Sequence, residues 1–258
     1  MAEPPRLALL VSDTPAAEAG AADLRRAHRF VAPEEADVLV ALGGDGFLLQ
    51  TLHGMLASGD IRPVFGMNRG TVGFLMNDFR VEDLSGRIAA ARAFKLAPLC
   101  MDAETGTGGR VRSPAINEVS LLRETRQAAK IEIAIDGRVR LPELTCDGVL
   151  VATPAGSTAY NLSARGPILP LECDLLALTA ISPFRPRRWH GALIPAASRI
   201  TFRILEADKR PVSAVADQVE VRDVTAVHVT TDPERRLELL FDPEYALDDR
   251  IVMEQFLG

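Results

Sequence analysis

The chain has 258 residues, 47% hydrophobic and 25% charged, which fits a globular protein of one large or two modest domains. A net charge of −6 argues against non-specific nucleic-acid binding, whose main term is phosphate neutralisation by Lys and Arg. No apolar run reaches the length of a membrane span, and Pro4-Pro5 interrupts an N-terminus without a basic leader, so neither a membrane nor a secretory role is expected.

In chain order, residues 7–11 predict a buried strand, and Thr14-Pro15 opens an Ala-rich helix ending near His28. Residues 37–42 predict a second core strand, and residues 62–67 a third, leading into the turn at Gly70 and Gly73. Residues 81–94 read as an amphipathic helix, with acids early and bases late as the macrodipole prefers. Strands alternating with helices imply a three-layer α/β domain with a mostly parallel sheet over residues 1–95.

The pattern then changes to period two. Residues 130–137 alternate and end on Asp136-Gly137, a hairpin signal. Residues 199–205, 212–221, 226–230 and 237–241 read alike, giving a β-rich second domain over 96–240, interrupted by a helix at Gly156. Segment 241–258 is expected to pack back on the first domain, with residues 247–256 helical. The basic run Arg185-Pro186-Arg187-Arg188-Trp189-His190 reads as a solvated loop or subunit contact in an acidic chain. Cys100, Cys146 and Cys173 fit no zinc or C-x-x-C spacing, and are expected to be free, packed thiols in a reducing cytoplasm. The histidines make no ligand-spaced pair, so no metal ligands are assigned.

Two Gly-rich segments carry the chemistry. In the first, the apolar strand ends in Gly43-Gly44-Asp45-Gly46 and enters a helix. Glycine allows close backbone approach, and free N–H groups at a helix start favour phosphate. Asp45 is the odd member, since an anion repels phosphate. It makes sense either as a helix cap or as a proton-transfer or metal-facing group. No G-x-x-x-x-G-K-[ST] string is present, so the chain is not a P-loop protein. In the second, the strand-like run before Thr153-Pro154 leads into Gly156-Ser157-Thr158, with Ser157 placed as a helix N-cap. Tyr160 offers either an aromatic face and a phenol to a nucleotide or a core side chain.

The second string, from Asp147-Gly148 to Thr153-Pro154-Ala155-Gly156-Ser157-Thr158-Ala159-Tyr160, closely resembles the signature of the NAD kinase family. Gly43-Gly44-Asp45-Gly46, the run Gly66-Met67-Asn68-Arg69-Gly70-Thr71-Val72-Gly73-Phe74-Leu75, Asn117-Glu118 and Asp217-Gln218 agree in order and spacing. The resemblance covers residues 38–218. It implies a two-domain architecture and transfer of the γ-phosphate of ATP to the 2′-hydroxyl of the adenosine ribose of NAD, giving NADP. It implies Asp45 as the base and Gly43, Gly44 and Gly46 at the ATP phosphates. For NAD it implies Asp45, Gly46, Asn117, Glu118, Asp147, Ala155, Thr158, Ala159, Tyr160, Asn161, Leu162, Ser163 and Gln218. It further implies Mg²⁺ or another divalent cation with ATP, a homodimer or homotetramer, and a cytoplasmic enzyme.

Two positions depart from the pattern. Ala155 replaces a frequent Thr, and Gln50 replaces a frequent basic residue, leaving positive charge to Arg69, Arg165 or a neighbouring subunit. Two alternatives stand beside this reading: a lipid or sphingoid-base kinase sharing the Gly-Gly-Asp-Gly turn, and a non-catalytic NAD sensor. The Asn117-Glu118 pair and the second string count against the first, and the intact Asp45 against the second.

Overall fold

A computed structural model describes residues 4–70 and 73–243. They form two compact units, one of residues up to Leu96 together with those from Arg235, the other Ala97–Glu234. Among the described residues no helix is long and apolar enough to cross a membrane.

The first unit is α/β. Its elements are β1 (Leu7–Val11), α1 (Pro15–Ala27), β2 (Val38–Gly43), α2 (Asp45–Ser58), β3 (Val64–Asn68), α3 (Leu84–Ala90) and β4 (Arg92–Leu96). β1, β2 and β3 pair in parallel, with β2 in the middle. Every residue of β2 is buried, as its unbroken apolar run requires of a parallel strand covered on both faces. Thr14 caps α1, accepting from the Ala17 backbone N–H at 3.3 Å, and Pro15 occupies the first turn. Ala17, Ala21 and Leu24 then recur at helical spacing and pack with Val40, Leu42 and Phe65 of the sheet.

Two expectations need correction here. The helix read over residues 81–94 is confined to α3, capped by Asp83, and the chain then enters β4. Phe94 and Leu96 alternate inward against exposed neighbours, so period two wins once a partner strand is present. That partner is Leu237–Phe241, which was read as part of the β-rich domain. It joins the first unit's sheet instead, parallel to β3 and antiparallel to β4. Phe94 and Phe241 meet edge to face, with centroids 5.3 Å apart. The helix expected over residues 247–256 lies outside the described residues.

The second unit is antiparallel. Its strands are β5 (Leu99–Thr105), β6 (Arg110–Ala115), β7 (Glu118–Arg123), β8 (Ala129–Ile135), β9 (Arg138–Cys146), β10 (Gly148–Ala152), β11 (Leu175–Ile181), β12 (Gly191–Pro195), β13 (Ile200–Ile204), β14 (Val212–Ala216), β15 (Val219–Val221) and β16 (Val224–Thr231). One six-stranded sheet runs β12-β11-β10-β7-β14-β15 and the other β6-β5-β16-β13-β8-β9. Their inner faces share a hydrophobic core that includes Val119, Val149, Val151, Ile133 and Phe202. Asp136 and Gly137 make the β8–β9 turn with φ of 51° and 76°. Residues 212–221, read as one strand, are a hairpin of β14 and β15 broken at Asp217, whose φ is 49°.

β10 is buried along its whole length. Leu150 and Ala152 cover a second small core with Leu169 and Ala177, against which Tyr160 packs. The helix expected to start at Gly156 is a 3₁₀ turn, Ala155–Thr158, followed by one helical turn, α4 (Tyr160–Ser163). Ser157 does not cap it. Its hydroxyl donates to the Pro154 carbonyl at 2.6 Å and accepts from the Leu169 N–H at 2.9 Å, tying the turn to the following loop.

Candidate active site

In the first unit the Gly-rich turn after β2 and the loop after β3 are stitched together. The Arg69 N–H donates to the Gly43 carbonyl at 2.6 Å, and Asn68 Oδ1 accepts from the Gly70 N–H at 2.8 Å. Buried Asn77 anchors the return of that loop, donating to the Gly66 and Leu240 carbonyls and accepting from the Asp242 N–H. The stitching delivers two N–H groups to Asp45. Its carboxylate accepts from Phe74 at 2.8 Å and from Leu75 at 3.4 Å. A Cβ at Gly73 would lie 2.3 Å from Asp45 Oδ1, so a side chain there would displace the carboxylate. The capping alternative for Asp45 therefore falls away: Gly44 is the N-cap of α2, and no side chain caps that helix.

A cleft of about 450 Å³ opens at this point, lined by Ser12, Asp13 and Thr14 at the start of α1 and by Gly44, Asp45, Gly46 and Gln50 at the start of α2. Two helix N-termini converge there, one of them uncapped, which suits an anion. Among the described lining residues are two carboxylates and no Lys, Arg or His. Arg69 is engaged elsewhere, with Nε on the Ala16 carbonyl at 3.1 Å and its guanidinium over the Phe79 ring. Hard oxygen donors beside a phosphate-sized space fit a divalent cation held mainly by phosphate and water. Among the described residues no group of three or more His, Cys, Asp or Glu side chains is placed to hold a metal ion.

In the second unit, Asn117 and Glu118 sit at the entrance to β7. Their turn is shaped from two sides. Asp217 accepts the backbone N–H groups of Ile116, Asn117 and Glu118 at 2.6, 3.0 and 3.1 Å. Thr153 donates its backbone N–H to the Asn117 carbonyl at 2.9 Å and its hydroxyl to the Ile116 carbonyl at 2.7 Å. Gly156 packs so close that a Cβ would lie 2.1 Å from the Asn117 carbonyl oxygen, which explains the glycine in the signature. Among the described residues, Glu118 Oε2 is buried without a hydrogen-bond partner. Burial first, and the neighbouring Asp217 charge second, push its carboxyl up to about 7.

Tyr160 is half-buried, and burial, then Glu118 and Asp147, raise its phenol above the ordinary value. Glu118, Asp147 and Tyr160 therefore share one electrostatic environment. Asp147 pairs with Arg123 at 2.5 Å. Ala155 is buried, Thr158, Ala159 and Leu162 are half-buried, and Ser163 and Gln218 are exposed. Asn161 is fully buried, with Nδ2 donating to the Ser157 and Pro167 carbonyls and Oδ1 accepting from Thr179. Its side chain serves the loop, so the ligand contact assigned to it can come only from backbone. Burial pushes the Cys146 thiol up to about 12, which makes it inert packing.

Three functional features escaped the sequence reading: the Phe74 and Leu75 N–H groups on Asp45, the Ser12–Thr14 wall, and Asp217 as organiser of the Asn117-Glu118 turn. The signal for the second was a polar Ser-Asp-Thr directly after a buried strand. The others have no local signal.

The chain is 64% identical to the NAD kinase of Rhizorhabdus wittichii, over 97% of this chain and 98% of that protein. It is 58% identical to the NAD kinase of Zymomonas mobilis, over 97% of each. The chain belongs to the NAD kinase family. Residues 116–234 match the family model for the ATP-NAD kinase C-terminal domain. The fold is that of a yeast NADH kinase solved with NADH, with a TM-score of 0.83 at 22% identity, over 98% of this chain and 88% of that one. An NAD kinase from Archaeoglobus fulgidus, solved with ATP, gives a TM-score of 0.75 at 23% identity, over 98% of this chain and all of the other. The family assignment turns the two Gly-rich segments from separate turn motifs into parts of one kinase.

Proposed function

We propose that this NAD kinase family member transfers the γ-phosphate of ATP to the 2′-hydroxyl of the adenosine ribose of NAD, with Asp45 accepting the hydroxyl proton. The observation that carries this reading is the Asp45 carboxylate, fixed by two backbone N–H groups and facing a cleft made of helix starts. Phosphoryl transfer asks the protein for positioning and charge stabilisation more than for covalent chemistry. The uncapped start of α2, with Gly44 and Gly46, would hold donor phosphates through backbone N–H groups. Asp13 and Asp45, with the Ser12 and Thr14 hydroxyls, would hold a divalent cation. When bound there, a cation would supply neutralisation of phosphate charge, which no Lys, Arg or His among the described lining residues provides.

Asn117, Glu118, Asp147 and Tyr160 are proposed to bind the dinucleotide, together with backbone from Ala155 to Ser163. Support comes from the buried, partnerless Glu118 oxygen and the electrostatic environment it shares with Tyr160 and Asp147. Three free cysteines fit a reducing compartment and hence a cytoplasmic enzyme. A homodimer or homotetramer is proposed on the exposed Phe184 and Leu193 at and beside edge strand β12, and sedimentation tests it.

An ATP-dependent assay with NAD, NADH and a lipid acceptor in parallel tests the reaction. NADP formation from NAD is expected. Phosphorylation of the lipid alone would overturn the reading.

A further inference from the structure

Asp217 stands in the turn between β14 and β15, and the family resemblance marks the Asp217-Gln218 pair without indicating a structural role for the Asp217 side chain. Its backbone adopts the left-handed region, with φ of 49°, which Asp tolerates better than most residues. From there its carboxylate gathers three consecutive N–H groups, those of Ile116, Asn117 and Glu118. The Asp217 N–H also donates to the Glu118 carbonyl at 3.2 Å. The turn that presents Asn117 and Glu118 is thus bound to one side chain a hundred residues away in sequence.

The same carboxylate lies beside a second acid that has nothing to pair with. Glu118 Oε2 is buried and makes no hydrogen bond among the described residues. A charged oxygen in that position would be desolvated and uncompensated, which is strongly unfavourable. The titratable and charged groups around it are Asp217 from the β14–β15 turn and Tyr160 from α4, with Asp147 and its partner Arg123 beyond Tyr160. Asp217 and Asp147 are acids, Tyr160 is a neutral phenol, and Arg123 is already paired with Asp147.

We propose that Asp217 is a positioning residue with two effects: it fixes the Asn117-Glu118 turn through three backbone N–H groups, and its charge, added to the burial of the Glu118 carboxyl, keeps a proton on Glu118, so that Glu118 meets NAD as a hydrogen-bond donor. Oε2 is then an uncharged, buried carbonyl oxygen, and the proton sits on Oε1, where an acceptor atom of the bound dinucleotide completes the bond. The elevation of the Glu118 carboxyl to about 7 agrees with that geometry. This inference rests on the assignment of Glu118 to the NAD site made above.

Calorimetric titration of NAD into the intact protein, on both sides of pH 7, tests it. Wild-type affinity should fall as pH rises through about 7, because the donor proton leaves. Glu118→Gln carries a permanent donor and should lose that pH dependence while still binding NAD. Asp217→Asn removes the charge and should move the midpoint toward acid, by less than half of the full rise because burial is the larger cause. A merely structural Asp217 would weaken binding at every pH and leave the midpoint where it was, and that result would overturn the proposal. So would an unchanged pH limb in Glu118→Gln, which keeps Asp217 and decides the matter even if Asp217→Asn does not fold. A wild-type protein that takes up no NAD at any pH would instead reject the assignment of the site itself.

Discussion

The two units use one device for opposite ends. In each, a carboxylate collects backbone N–H groups from a loop far away in sequence. Asp45 takes those of Phe74 and Leu75 and still faces the cleft, so the bonds aim at that space the carboxylate proposed above as the base. Asp217 takes those of Ile116, Asn117 and Glu118 and shapes a binding turn, while the neighbouring Glu118 is left unpaired. The difference teaches that the N–H partners alone do not identify a functional acid. What matters is whether the carboxylate, once held, opens on ligand space or is spent inside the fold.

The sharpest test of that contrast is Asp45→Asn. It keeps size and one acceptor oxygen but removes the base. We expect kcat to fall by about 10²–10⁴-fold with NAD affinity nearly unchanged. Steady-state kinetics with a parallel NAD titration would decide it. Activity within a few-fold of wild type would make Asp45 equivalent to Asp217, a structural holder of N–H groups.

Gly73→Ala probes the holding rather than the acid. Its Cβ would need the space of Asp45 Oδ1, so the carboxylate must swing away from the Phe74 and Leu75 N–H groups. A displacement of this kind costs up to about 10²-fold in rate. It should fall on kcat and add little when Asp45 is already Asn. Full additivity in the double variant would mean that Gly73 acts through something other than Asp45.

For the second unit, stability against pH separates a buried acid from an exposed one. Glu118 has a folded-state value of about 7 against an ordinary 4.5, so the folded protein holds its proton more tightly. The resulting stabilisation is complete below 4.5 and is lost as pH rises to about 7. Glu118→Gln cannot lose it. Denaturant unfolding should therefore show the variant gaining on wild type by up to about 3 kcal/mol between acid and mildly alkaline pH. Parallel stability curves for the two proteins would place Glu118 in solvent.

Tyr160 should give the smallest effect. Its ring packs on Leu150, Ala152, Leu169 and Ala177, so part of its role is core. Tyr160→Phe keeps the ring and should bind NAD nearly as wild type does. Tyr160→Ala should lose several-fold, since aromatic stacking is worth ~0.5–1.5 kcal/mol beyond area. Equal NAD affinity in folded wild type and both variants would remove the ring from the site.

Much of this was legible in the amino-acid sequence, for reasons of range. The unbroken apolar run of β2, the Thr14-Pro15 start of α1 and the Asp136-Gly137 turn are local choices, decided by sterics and burial within a few residues. The Gly-rich strings are legible for the same reason, and at Gly148 and Gly156 the glycine answers to a close backbone approach. Tertiary structure alone decided where the strand Leu237–Phe241 pairs. Period two states that a strand exists and says nothing about its sheet, and the strand chose β3 and β4 of a unit more than a hundred residues upstream. It also decided the partners of the polar side chains. Asn161 and Glu118 both looked available for a ligand, yet Asn161 is fully buried and bonded to two carbonyls and a threonine hydroxyl while Glu118 is left with an orphan oxygen. Hydrogen bonds are short-ranged in space and unrestricted in sequence, so which buried polar group is satisfied is known only after distant segments have met.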